Sequence, residues 1–208
     1  VNSVRLRLWN NPENVKEANG YCDYAHTLAM AKRIKAHGMS FMLDFHYSDF
    51  WADPGQQNKP LAWKDLSFEK LKEAVFTFTK ETISGLKAEG VLPDVVQIGN
   101  EIRSGLLFPD GELPDYKQMV QLVNAGIKGA RAVADADEMQ VMIHLDQGGR
   151  YFYLKEWFEK SFEAGLDDFD LIGLSYYPFW HGTFSDLKET LTKLLADYHK
   201  PIMIVETA

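Results

Sequence analysis

The feature that most constrains this 208-residue chain is a strict alternation of short, Val- and Ile-rich segments with longer segments of helical period. Strand patterns fall at 4–9, 39–46, 94–99, 140–145, 169–176 and 201–206, and helical patterns at 21–37, 67–89, 114–134, 150–164 and 185–198. Gly38, Gly90 and Gly165 close three of the helices, and Pro114 reads as a first-turn residue of another. A helix between two strands returns the chain to the same end of the sheet, so this order implies parallel strands. The long loops, 10–20, 47–66, 100–113 and 176–184, all follow strands, whereas the returns from helix to strand are mostly short. That asymmetry favours a TIM (β/α)₈ barrel, whose chemistry sits at the carboxyl ends of its strands, over a doubly wound sheet. No G-x-G-x-x-G or G-x-x-x-x-G-K loop is present. Six strand patterns are too few for a closed barrel, so the expected α/β fold is a truncated one: residues 1–208 as a single partial barrel domain from a longer protein.

Strand parity then sorts the side chains. Residues two apart on a barrel strand share a face, one face packing on helices and the other lining the axis. Val4, Leu6 and Leu8 form a helix-facing set, which leaves Arg5 and Arg7 pointing inward. Inward positions on the later strands are Asp44 and His46, then Gln97, Gly99 and Glu101, then His144 and Asp146, then Ser175, and last Glu206. Unpaired buried charges cost several kcal/mol, so a polar ring of this kind must be mutually hydrogen-bonded. It is expected to form the floor of an active site, with a purely structural ion-pair network as the alternative.

Two of these carboxylates stand out because each ends an apolar run: Glu101 closes VVQIGNE and Glu206 closes IMIVE. A pair of carboxyls at strand ends suits a retaining glycosidase, in which one protonates the leaving oxygen and the other attacks the sugar from about 5–5.5 Å away. Asn100, beside Glu101, can hydrogen-bond a substrate hydroxyl. His46 and His144 with Asp44 and Asp146 are a possible metal set, but no H-x-H or H-E-x-x-H spacing supports one, and no metal site is expected. Aromatic residues crowd the same rim: Trp9, Tyr47, Phe50, Trp51, Trp63, Tyr176, Tyr177, Phe179 and Trp180. Flat rings suit the C–H faces of sugars, and Trp180, in the exposed turn before His181-Gly182, is expected to touch substrate.

Composition narrows the partner. A net charge of −8 and a pI near 5.2 argue against nucleic acid, anionic membrane or strongly acidic polymers, and favour a neutral ligand. The single cysteine, Cys22, excludes an intrachain disulfide and reads as a small buried residue of a helix. No run of eighteen apolar residues and no signal-like start is present.

The segments VRLRLWNNP, LDFHYSDFWADPGQQNKPLAW, VQIGNE, HLDQGG, GLSYYPFWHGT and IVETA, in this order, resemble those of the family 53 glycoside hydrolases, the endo-β-1,4-galactanases. The resemblance covers the whole chain and implies a retaining (β/α)₈ glycosidase of which strands two to seven lie here. It implies Glu101 as acid/base, Glu206 as nucleophile and Asn100 as the partner of the sugar 2-hydroxyl. Arg5 or Arg7, with a hydroxyl from Tyr176, would hold Glu206 ionised. The substrate would be β-1,4-galactan from the arabinogalactan side chains of pectin, bound across Trp51, Trp63 and Trp180 and cut internally by a monomeric, secreted or cell-surface (periplasmic) enzyme. No cofactor is expected, since the calcium site of some members would lie beyond residue 208. A carbohydrate-binding or inactive barrel fragment, and a related barrel glycosidase acting on mannan or β-glucan, are the alternative readings. Loss of hydrolysis with retained galactan binding would separate the first of these from an enzyme.

Overall fold

The computed structural model describes residues 1–208. Along the chain run β1 (Ser3–Leu8), α1 (Tyr24–Ala36), β2 (Ser40–Phe45), α2 (Phe68–Ala88), β3 (Val95–Ile98), the two-residue strands β4 (Gly105–Leu106) and β5 (Gly111–Glu112), and α3 (Tyr116–Arg131). They continue with β6 (Gln140–Leu145), α4 (Tyr151–Glu163), β7 (Leu171–Tyr176), the short α5 (Pro178–His181), α6 (Phe184–Tyr198) and β8 (Ile202–Thr207). The long strands form one parallel sheet in the order β1-β2-β3-β6-β7-β8, while β4 and β5 pair antiparallel within the loop after β3. No helix is long and apolar enough to cross a membrane.

Sequence explains where the helices begin. Asp23 accepts a hydrogen bond from His26 N at the start of α1, Asp115 does so from Gln118 N at α3, and Thr183 and Asp186 form a reciprocal capping box on α6. Pro114 is not a first-turn residue as its sequence suggests: it precedes the capping Asp115, after a cis bond to Leu113. The β4/β5 hairpin also escapes the sequence pattern, because two-residue strands carry no period.

The helices cover one face of the sheet only. Phe41, Leu43 and Phe45 of β2, Val96 and Ile98 of β3, and Val141, Ile143 and Leu145 of β6 alternate along their strands and join residues of all five long helices in one apolar cluster. Each such buried side chain contributes about 1.5–3 kcal/mol relative to exposure. Gly129 lets α3 close on α2, since a Cβ there would meet Phe76 O at 2.6 Å. On the opposite face, Met42, Val95, Met142 and Leu171 form a second, smaller apolar layer against which Val205 packs. A parallel sheet with helices on one side and a narrow apolar layer on the other is barrel wall, not a doubly wound sheet, which would be covered by helices on both. The fold is six strands of a (β/α)₈ barrel, and β1 and β8 are its edges in this chain.

Beyond that inner apolar layer each strand turns polar, and the chain leaves β2, β3 and β6 through a left-handed residue: Tyr47 (φ 53°), Glu101 (φ 49°) and Gln147 (φ 67°). Non-glycine residues with such φ are uncommon and persist where their surroundings over-determine them. Gly99 (φ 82°) makes room before the second of these turns, since a Cβ there would meet Ile102 Cγ2 at 2.5 Å.

Candidate active site

Arg5 is the hub of the polar end. Its Nε donates to Gln97 Oε1 at 3.0 Å, Nη1 to Glu206 Oε1 at 2.9 Å, and Nη2 to Asn100 Oδ1 at 2.8 Å, with Asp44 Oδ2 2.9 Å from the same Nη2. A planar fork of five donors can satisfy four partners in one plane, which an ammonium cannot. Burial pushes the Asp44 carboxyl up, but the Arg5 guanidinium and the hydrogen bond from His46 outweigh it and hold the group below its ordinary value. His46 Nδ1 accepts from Ala52 N at 3.0 Å, which assigns the proton to Nε2, 3.0 Å from Asp44 Oδ2. Gln97 Nε2 donates to Asp44 Oδ1 at 2.6 Å and to Gly99 O at 3.0 Å. Asn100 is fixed at both ends of its amide, since its Nδ2 donates to Ala52 O at 2.8 Å.

Glu206 reaches this hub through a break in strand register. Leu174 pairs with Ile204, but the next residue, Ser175, pairs with Glu206, so β8 carries one extra residue there. Strict alternation would group Glu206 with Ile202 and Ile204, which pack on the helix side. The bulge instead puts Val205 and Glu206 both on the inner face. The second carboxylate oxygen, Oε2, accepts from Tyr177 Oη at 3.2 Å.

Glu101 has a different environment. Burial lifts its carboxyl from 4.5 to about 7; a hydrogen bond from Ser175 works against this, and the negative charges of Glu206, Asp146 and Asp53 reinforce it. Its backbone N–H points to His144 Nδ1 at 3.3 Å, and His144 Nε2 lies 2.9 Å from Ser175 Oγ. Burial and the Arg5 charge push His144 down to about 3, so the ring is neutral and acts as a hydrogen-bonding spacer. Gln57, buried in the loop after β2, donates to Asn100 O at 2.8 Å and ties that loop to the Glu101 turn. The two carboxyls thus sit in different surroundings, Glu101 raised by burial with the charge of Glu206 adding to it, and Glu206 ion-paired with Arg5.

Comparison with known proteins identifies the family. The family described as glycosyl hydrolase family 53 matches residues 1–208. The chain belongs to that family. An uncharacterised protein of Niallia circulans is 44% identical over the whole chain, which spans 57% of that protein. A probable arabinogalactan endo-β-1,4-galactanase A of Aspergillus terreus is 41% identical, with 100% of this chain and 60% of the relative covered. Among solved structures, the family 53 catalytic domain of Ignisphaera aggregans superposes with a TM-score of 0.92 at 38% identity, over all of this chain and 57% of that one. A fungal β-1,4-galactanase structure gives 0.92 at 35% identity, over all of this chain and 62% of that one. The chain therefore spans about three fifths of the length of the relatives it matches. Xylanase 10B of Thermotoga maritima, at 12% identity and a TM-score of 0.63, shares the fold.

Within this family 53 site, Arg5, Asp44, His46, Asn100, His144, Glu101 and Glu206 form one connected set. Asp44, His46 and His144 are buried and hold the set together through their hydrogen bonds, and they gather into no metal-binding cluster. Asp146, also buried, pairs with Arg103 Nε at 2.8 Å and acts on Glu101 through its charge. Arg7 does not reach Glu206: its guanidinium lies over the Trp51 ring, 4.1 Å from the centroid, and supports the rim.

Four expectations fail. Trp9, counted with the rim, is 3% exposed and packs against Phe50 and Trp51. Trp63, expected in the sugar groove, is 7% exposed and packs edge-on against Phe78 of α2 in the core. Tyr47, counted with the rim, is wholly buried and bonds Thr79 Oγ1 at 2.7 Å. Tyr176 turns its hydroxyl to Gly182 O at 2.9 Å, and its neighbour Tyr177 makes the contact to Glu206 expected of it. Parity carried the signal: Ser175 and Tyr177 share the inner face, whereas Tyr176 does not. Trp51 (43% exposed) and Trp180 (66% exposed) stand open on the rim as expected. Gln57 and Arg103, in loops without periodicity, were not marked by any motif of their own.

Proposed function

We propose that the protein carrying this chain is an endo-acting, retaining β-1,4-galactanase that cuts galactan side chains of pectin outside the cell. The observation that carries this reading is the contrast between two inner-face carboxyls: Glu206, ion-paired with Arg5, and Glu101, lifted to about 7. Family membership and the printed activities of the fungal relatives supply the substrate class.

In the first step a Glu206 carboxylate oxygen attacks the anomeric carbon, while Glu101 gives its proton to the departing glycosidic oxygen. The sugar is left ester-linked to Glu206, and the chain fragment leaves with a new hydroxyl. In the second step Glu101, now a carboxylate, takes a proton from water as the water oxygen attacks the same carbon; the ester bond breaks and Glu206 is restored. Arg5 and Tyr177 donate to the two oxygens of Glu206, orienting the carboxylate for attack and holding it as it leaves the sugar. Asn100 adjoins Glu101 in the chain and shares Arg5 with Glu206, and its Nδ2, which gives one hydrogen to Ala52 O, keeps a second for the 2-hydroxyl of the reacting unit; Trp51 and Trp180 offer faces to flanking sugars.

The test is reducing-end release from β-1,4-galactan by the natural polypeptide that carries residues 1–208, with the anomeric configuration of fresh product followed by NMR. Products of retained configuration, abolished by Glu206→Ala, support the reading. Inverted products, or no hydrolysis by a folded protein, overturn it.

A further inference from the structure

A groove between the loops that follow β3 and β6 is lined by Arg103, Gln147, Arg150 and Tyr153. Its composition is at odds with the rest of the molecule: in a chain of net charge −8, two guanidiniums share one small opening. Arg103 spends only Nε on Asp146 and leaves both terminal nitrogens without a partner in the chain. Arg150 caps α4 without a side-chain hydrogen bond and makes no ion pair. Asp146, the acid nearest the groove, is 5% exposed and already takes Arg103 on Oδ1 and Gln147 Nε2 on Oδ2 at 3.0 Å. On its other side Arg150 looks across a second groove to Asp186 and Glu189; the Asp186 carboxyl is taken up by the Thr183 backbone and hydroxyl, and neither acid comes within ion-pair distance of Arg150.

Three further observations point to a ligand. The Tyr153 ring is 62% exposed beside the guanidiniums, a flat face of the kind sugars stack on. Gln147, which lines the groove, is held at φ 67° and tied by its Nε2 to Asp146 Oδ2, so that side of the groove is fixed in place by its surroundings. Third, the groove adjoins Glu101: Arg103 follows it by two residues, and the Asp146 carboxylate that Arg103 holds acts on the Glu101 carboxyl. Both supporting strands lie inside the sheet, with β3 between β2 and β6, and β6 between β3 and β7.

We propose that Arg103 and Arg150 form a subsite for the carboxylate of a uronic acid unit on the leaving-group side of Glu101. The leaving oxygen must meet Glu101, so the sugar that carries it extends over the elements next to Glu101 rather than over β8, which holds Glu206. A guanidinium pair recognises a planar carboxylate through parallel N–H donors, and a neutral hydroxyl offers no such match. The enzyme thereby prefers galactan near acidic units over galactan that is neutral throughout. This subsite rests on the galactanase reading for its place in the reaction, and not for its ability to bind.

The experiment compares two substrates on the natural polypeptide: an oligosaccharide fraction of galactan bearing uronic acid units, and the same fraction after chemical reduction of its carboxyls to primary alcohols. At low ionic strength kcat/KM is about 3- to 10-fold higher on the acidic fraction, the range of one or two partly exposed charge pairs. That ratio falls toward one in Arg150→Gln and in added salt. A native ratio near one, or a ratio that Arg150→Gln leaves unchanged, overturns the subsite. Failure to hydrolyse either fraction overturns the galactanase reading instead, and calorimetric titration of Glu206→Gln protein then decides the subsite. Tighter binding of the acidic fraction that depends on Arg150 sustains it, and equal binding of the two fractions refutes it.

Discussion

Arg5 Nη1 and Glu206 Oε1 lie 2.9 Å apart, although 201 positions separate them in the chain. The pair ties β1 to β8, the two edges of the sheet, across its polar end. Arg5→Lys keeps the charge but cannot hold Glu206, Asn100 and Gln97 together. The expected result is a loss of kcat/KM of about 30- to 100-fold, near 2–3 kcal/mol, with the fold retained. Steady-state kinetics and circular dichroism of the variant check it; near-native kinetics would show that Arg5 is not the hub described.

Glu101 at about 7 predicts the alkaline limb of the rate profile. The acid must carry its proton, so kcat/KM falls as pH rises through about 7, and Glu101→Gln abolishes that limb while lowering turnover of galactan about 10²- to 10⁴-fold. A glycoside with a nitrophenolate leaving group, which departs without protonation, suffers less from the same change.

The same carboxyl gives a stability signature of opposite sense to that of a salt-bridged one. The folded chain binds the Glu101 proton more tightly than the unfolded chain, whose value is 4.5, so stability is lost as pH rises from 4.5 to about 7. Glu101→Gln escapes that loss. Urea unfolding should show it equal to the native protein at pH 4 and more stable at pH 8, by at most about 3 kcal/mol. Equal stability at both values would contradict the raised carboxyl.

Trp63 and Trp180 separate packing from recognition. Trp63→Ala removes a ring buried among Tyr47 and Phe78, and destabilises by about 3–5 kcal/mol. Trp180→Ala leaves the melting temperature nearly unchanged and raises KM for the polymer, because the ring is mostly in solvent. Thermal melts and polymer kinetics on both variants distinguish the roles.

Tyr177→Phe and Tyr176→Phe form a matched pair. The first removes a donor to Glu206 and lowers kcat with little effect on stability. The second removes the bond to Gly182 O, and its effect appears in the stability of the loop after β7. If both variants lose only stability, Tyr177 plays no part in the chemistry.

The legible part of this molecule is the part that repeats. Period two along VRLRLW fixed the inward arginines, and carboxylates closing apolar runs marked Glu101 and Glu206. Roles set by tertiary packing were not legible. An aromatic residue in a long loop reads the same whether it stands free like Trp180 or folds under like Trp63, since only the helix packed above it decides. Gln57 and Arg103 each contact a residue more than forty positions away, and no local period encodes such a contact.

The register break in β8 uncouples two phases within one strand. Ile202 and Ile204 keep the beat of the helix-side core, while Glu206 follows the beat of Ser175 and the barrel axis. Changing the residue count between Ile204 and Glu206 by one would leave the apolar half of the strand seated and rotate the carboxylate toward the helices. The strand would still belong to the sheet, but the contact with Arg5 would be undone by arithmetic rather than by chemistry, with every side chain of the site still present in the sequence.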